Sequence, residues 1–270
     1  IDGIEFNIES LSGSYDNLSI DDFYSKVNLN NSSITLNNLS INNKESFLRG
    51  NVTVNFDEGF KLKNINNSSI NFNINPILLE SFQSNYKIND YISGEIEFYG
   101  TKEDLTINSL SLSSELFKFN AEINILDFLS KEFEINALIN DLDIDEEYLA
   151  LNYQVNEKFN LPFLKGNLNI RNKNLTFNLT EAKDSETKLN LNGTANLDDS
   201  FNYQIGISSS LGENDKILEI LNLNHIDLNA LIKGSSKELN YINSNINLIK
   251  NNNEFNLNTN SYIRNNTLDG

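Results

Sequence analysis

The 270-residue chain has no Cys, no Met, no Trp and a single His. Those absences exclude thiol nucleophiles, disulfide staples, thiolate zinc sites and any multi-histidine metal centre. Basic residues are also scarce: 20 Lys and Arg stand against 38 Asp and Glu, a net charge of -18. A field of that sign repels nucleic acid and anionic membrane surfaces. No apolar run approaches the length of a membrane-spanning helix. The first residue is not Met and the last segment, SYIRNNTLDG, ends at a turn-like Asp-Gly. The expectation is a single elongated repetitive β-domain over residues 1–270, internal to a longer protein.

What the chain does contain is Asn, Leu and Ile, at 52, 37 and 30 copies, against 4 Val, 6 Ala, 12 Gly and 2 Pro. Asn, Ile and Lys share AT-rich codons. Such codons do not arrange apolar residues in period two, and that alternation runs from one end of the sequence to the other. It places Val52, Val54 and Phe56 on one side of a strand, then Ile70, Phe72 and Ile74, and then Ile96 and Phe98. The same pattern gives Phe117, Phe119, Ala121, Ile123 and Ile125, followed by Phe133, Ile135, Ala137 and Ile139. Leu149, Leu151, Tyr153 and Val155 continue it, as do Leu175, Phe177 and Leu179, Leu189 and Leu191, and Phe201, Tyr203, Ile205 and Ile207. Leu228, Ala230 and Ile232, Ile246 and Leu248, and Phe255 and Leu257 complete it.

One wet face and one dry face per strand is the antiparallel pattern. Short polar connectors such as DEG, NNSS, GTKED, RNKN and LDDS suit hairpins, and about 20 strands fit the length. Helical signals are minor. Short candidates are 21–27, 75–83 (with Pro76 in its first turn), 125–133, 143–150 and 213–223 (with Asp215 as a cap).

A sheet of this many strands must curl. The predicted fold is therefore all-β: an elongated, twisted, U-shaped antiparallel sheet with an apolar inner groove and a few short helices. A β-solenoid or stacked β-sandwich is the alternative, although a narrow solenoid tends to favour the Gly and small residues that are scarce here.

The segments DYISGEIEFYGTKEDLTINSLSLSS, FLKGNLNIRNKNLTFNLTEAKDSETKLNLNGTANLDDS and IDLNALIKGSSKELNYINSNINL share one cadence. Each has an alternating strand with a Gly close by (Gly94, Gly166, Gly193, Gly234), then a turn and another alternating strand. In this the chain resembles the TamB and AsmA-like proteins of the diderm bacterial envelope. The resemblance implies a tall β-taco with a hydrophobic groove, a full-length protein anchored in the inner membrane and spanning the periplasm, contact with an outer-membrane β-barrel partner, and passage of phospholipid acyl chains. The N-terminal membrane helix and the C-terminal TamB domain are not found here.

Residues with chemical potential are few. His225 stands alone and reads as a strand or turn residue. The acids Asp141, Asp143, Asp145, Glu146 and Glu147 lack the Gly and terminal Glu of a calcium loop and read as a solvated strand edge, as do Asn196, Asp198 and Asp199. No Gly-rich phosphate loop, serine elbow or zinc signature occurs. The Asn-X-Ser/Thr sequons are what chance supplies at this Asn content. The expectation is a non-enzymatic lipid conduit without catalytic residues, metal or cofactor, whose groove is lined by the alternating residues from Val52 to Leu248. A structural or adhesive β-module of a bacterial surface protein is the alternative, and a polysaccharide-active β-helix enzyme is a third.

Overall fold

The computed structural model describes residues 3–15, 18–43, 45–76, 90–130, 132–144, 163–181, 188–197, 202–211, 224–235, 240–250, 253–264 and 267–269. The fold is all-β: an open antiparallel meander in which strands pair with their sequence neighbours, and no described pairing closes it into a barrel. The chain divides into two compact units, Ile1–Phe133 with Asn140–Leu161, and Glu134–Ile139 with Pro162–Gly270.

The first unit holds β1 (Ile4–Tyr15), β2 (Leu18–Leu29), β3 (Ser33–Asn43), β4 (Ser46–Phe56), β5 (Leu62–Ile74), β6 (Ile92–Thr101), β7 (Leu105–Ser113) and β8 (Phe117–Leu126). β9 (Glu134–Ile144) is divided between the two units. The second holds β10 (Leu164–Arg171), β11 (Asn174–Glu181), β12 (Lys188–Asn196), β13 (Asn202–Leu211), β14 (His225–Ser235), β15 (Asn240–Lys250), β16 (Asn253–Arg264) and β17 (Thr267–Asp269).

The turns follow from local chemistry. Arg171 pairs with Asn174 across Asn172 and Lys173, which both take positive φ, 48° and 62°. Two positive φ values in a two-residue loop define the hairpin turn whose twist matches that of its strands. Between β2 and β3 the Asn30 carboxamide oxygen accepts from the backbone N–H groups of Ser32 (2.9 Å) and Ser33 (2.7 Å), closing the bend with its side chain.

Two of the short helices expected from sequence are strands or turns instead. Residues 21–27 lie in β2, because Phe23, Ser25 and Val27 alternate onto one face, with Phe23 and Val27 paired on both sides and Ser25 paired with Ile8 of β1. Residues 125–130 finish β8 and then turn, with Asp127 at φ 53° and Ser130 N–H donating to the Asp127 carbonyl at 2.7 Å, while Lys131 lies outside the described residues. Asp143 and Ile144 end β9, and Pro76 is helical. Asn75 lies just past β5, and residues 77–83, 145–150 and 213–223 lie outside the described residues.

The two units build their ladders differently. All seven pairings from β1–β2 to β7–β8 carry a register shift. In every shift but one the odd-numbered strand has one residue more than its neighbour; between the Leu11/Phe23 and Gly13/Ile20 pairs the extra residue lies in β2. On the odd-numbered strands the extra residues fall in Glu9–Ser10, Asn37–Asn38, Asn66–Asn67 and Asn108–Ser109, with Lys63 a further one in β5, and on β2 in Asp21–Asp22. These are β-bulges, which bend a strand and unpair backbone groups. Side chains replace the lost bonds: Asn51 Oδ1 accepts from Asn38 N–H (3.0 Å), Ser68 Oγ accepts from Thr53 N–H (3.2 Å), and Ser25 Oγ donates to the Asn37 carbonyl (3.4 Å). Ser25 and Ser68 are accordingly buried. The seven pairings from β10–β11 to β16–β17 have no shift.

Candidate functional site

Residues directly opposite in an antiparallel pair share a face, so the register turns the alternating residues into rows. In the first unit one row runs Leu29, Ile34, Val54, Ile65, Gly100, Leu105, Ile125. A second runs Leu11, Phe23, Ile41, Leu48, Phe72, Gly94, Leu112, Phe119. Val52, Phe56, Ile70, Ile74, Ile96, Phe98, Phe117 and Ile123 lie on the same face and are half-buried.

The second unit repeats the arrangement. One row is Leu168, Phe177, Gly193, Ile205, Ile232, Ile242; another is Leu179, Leu191, Ile207, Ala230; a third is Leu228, Ile246, Leu257. Leu175, Leu189, Tyr203 and Leu248 share this face. On β9, Ile139 is buried and Ile135 half-buried, while Phe133 precedes the strand and is 42% exposed. Leu149, Leu151, Tyr153, Val155 and Phe201 lie outside the described residues.

These faces are not sealed. Among the described residues only Val27, Leu39, Leu116, Ala121, Ala137, Ile139, Leu164 and Ala195 form a buried apolar core, and no large apolar side chain is fully buried. Toward the outer strands exposure rises: Leu11 on β1 is 60% exposed and Phe255 on β16 57%. At about 25 cal/mol per Å² of apolar area, such a surface gains free energy from any hydrocarbon that covers it.

Both units place a phenylalanine over a glycine on this face. Phe72 pairs with Gly94, and Phe177 with Gly193. A Cβ on Gly193 would stand 2.6 Å from the Phe177 ring, and one on Gly94 would overlap the Phe72 ring. The missing side chain is what lets each ring lie flat across its neighbour.

The opposite face is wet. It carries Asn71, Glu95, Glu97, Lys118, Glu122 and Asn124 in the first unit, and Asn178, Asn192, Thr194 and Gln204 in the second, all exposed. Cross-strand amides bond one another there: Asn245 donates to Asn258 and Asn243 to Asn260, each at 2.6 Å. Phe47, an aromatic on this face of β4, is covered by the Arg49 guanidinium 4.6 Å above its ring.

His225 opens β14, with Nε2 2.9 Å from Asp227 Oδ1 and 3.4 Å from Ser210 Oγ. Asp141 and Asp143 lie in β9 and Asn196 ends β12; Asp145, Glu146, Glu147, Asp198 and Asp199 lie outside the described residues. Among the described residues no three acids or His converge as a metal site, and no helix is long and apolar enough to cross a membrane. Where β5 ends and β6 begins, Tyr91 donates to the Glu45 carboxylate and accepts from Asn75 Nδ2 at 3.1 Å. Its hydroxyl pKa is raised, first by that bond to Glu45, then by desolvation and the carboxylate's charge, with Asn75 opposing.

Period-two reading missed half of the first unit's apolar face. Leu36 with Leu39, Ile8 with Leu11, and Ile107 with Leu110 are three apart, and in a regular strand they would point to opposite sides. The bulge brings each pair onto one face. The available signal was an apolar pair separated by two polar residues, recurring in every other strand. Comparison of the chain with known protein families, with curated proteins and with solved structures gives no match.

Proposed function

We propose that the chain is a non-enzymatic lipid-handling β-module of the TamB/AsmA-like kind, whose apolar faces carry phospholipid acyl chains between the inner and outer membranes of a diderm bacterium. It works in the periplasm, within a longer protein anchored in the inner membrane that meets an outer-membrane β-barrel partner. The observation that supports this reading is the set of apolar rows in each unit, continuous from strand to strand yet left half-exposed.

A 16-carbon acyl chain costs roughly 12 kcal/mol to expose to water. An uninterrupted apolar surface lowers that barrier by replacing water along the way. Such transport needs no nucleophile, base or metal; it requires that no charge interrupt the row. Headgroups remain in water while tails lie against side chains such as Phe72, Phe98, Phe119 and Phe177.

Photocrosslinking tests the reading. Probes at Phe72, Phe98, Ile123, Phe177 and Ile205 should capture phospholipid in cells, at several positions along the chain. Probes at Asn73, Glu97, Asn124, Asn178 and Gln204 should not. A folded protein whose apolar-face probes capture no lipid ends the proposal. Capture confined to one pair of strands reduces it to a local lipid-binding pocket.

A further inference from the structure

The wet face of the second unit holds a concavity of 670 Å³ that crosses β11 to β16. Its volume lies in the range of small-molecule sites, which are mostly apolar, but its lining is of the opposite kind. Asn190, Ser208, Asn229, Asn245, Asn247 and Asn256 converge on it from five successive strands. The side-chain oxygens of Asn190 and Asn247 are buried and have no hydrogen-bond partner. A buried amide oxygen without a donor costs about 1–3 kcal/mol, so both are acceptors that a ligand hydroxyl would satisfy.

The charges at the site are Glu181, Asp227 and Lys188, and Asp227 is engaged by His225 at 2.9 Å. With no excess of positive charge there, and a chain carrying -18 overall, an anionic ligand is disfavoured. Farther along the same face, Tyr241 and Tyr262 pair across β15 and β16 with ring centroids 5.4 Å apart. Tyr262 is 46% exposed, and the Tyr241 hydroxyl donates to Asn260 at 2.8 Å. Tyr241 lies six residues before Asn247, about 20 Å along the strand. An amide-lined concavity that presents unpaired acceptors, with an exposed aromatic pair in line with it, suits a hydroxyl-rich chain whose rings also have apolar C–H faces.

We propose that this face of the second unit binds an uncharged oligosaccharide, with its hydroxyls on the asparagine amides and one ring on the tyrosine pair. The full chain is titrated with cellohexaose, maltohexaose, laminarihexaose and chitohexaose by calorimetry. At least one should bind saturably at high micromolar to millimolar concentration. The double variant Asn229→Ala/Asn245→Ala and the single variant Tyr262→Ala should each weaken that binding roughly three- to tenfold. Asn71→Ala, on the wet face of the first unit, should leave it unchanged. Circular dichroism and thermal melting establish that each variant is folded. The proposal is overturned if no neutral oligosaccharide binds, if binding survives both sets of variants, or if only anionic glycans or calcium bind at this face.

Discussion

At the level of single residues, the most exacting positions are the smallest. Gly94 and Gly193 each lie beneath an aromatic ring on the apolar face, so an added methyl must push the ring out of its row. Gly94→Ala and Gly193→Ala should each cost about 1–3 kcal/mol in denaturant unfolding. Combining Gly94→Ala with Phe72→Leu should recover part of that loss, and strict additivity would show that ring displacement is not the cause. Tyr91 gives a second test. Its hydroxyl pKa lies above the usual 10.0, so the neutral form is favoured by folding. That contribution is complete below the unfolded value and disappears as pH rises through the folded one. Stability measured across the alkaline range should therefore fall in the native chain and fall less in Tyr91→Phe. Identical profiles would show that the bond to Glu45 contributes nothing to folding.

At the level of the strand, the first unit depends on counting. Deleting Asn38 removes the surplus residue of β3 and turns Leu39 and Ile41 toward the wet face, because a one-residue slip inverts every side chain beyond it. The deletion should destabilise the protein by several kcal/mol, whereas Asn37→Ser, which keeps the count, should cost less than about 1 kcal/mol. Chemical denaturation distinguishes the two, and equal effects would mean that the bulge is incidental. The same counting explains how far the sequence could be read. Strands such as β8, β11 and β13 keep one parity throughout, and their apolar residues were legible as a face. Strands β1, β2, β3 and β7 change parity midway, so their halves cancel in a period-two reading, and of β5 only the stretch beyond its bulge, Ile70 to Ile74, was legible. The concavity on the second unit's wet face was less legible still. Its asparagines look like solvation in the sequence, and only the register of five strands gathers them.

At the level of the whole molecule, charge opposes the apolar surface. Copies carrying -18 repel one another, while side chains such as Leu11, Phe255 and Leu257 remain exposed and available for association. Protonating the carboxylates removes the repulsion and leaves the attraction. Light scattering should therefore rise as pH is lowered from 7 toward the isoelectric point near 4.4. Concentrated salt at pH 7 should produce a weaker form of the same effect by screening. Scattering that stays flat through the isoelectric point would show that the apolar faces are not accessible to a second copy.

From β3 to β8 bulged and regular strands alternate, which also limits how such a sheet can change in evolution. Inserting or losing one strand would set two bulged strands, or two regular ones, side by side and reverse the direction of all chain that follows. Adding or removing a hairpin avoids both faults. The first unit's sheet is therefore expected to vary among descendants in steps of two strands, about 10 Å each, with gene duplication copying a bulged strand and its regular partner together.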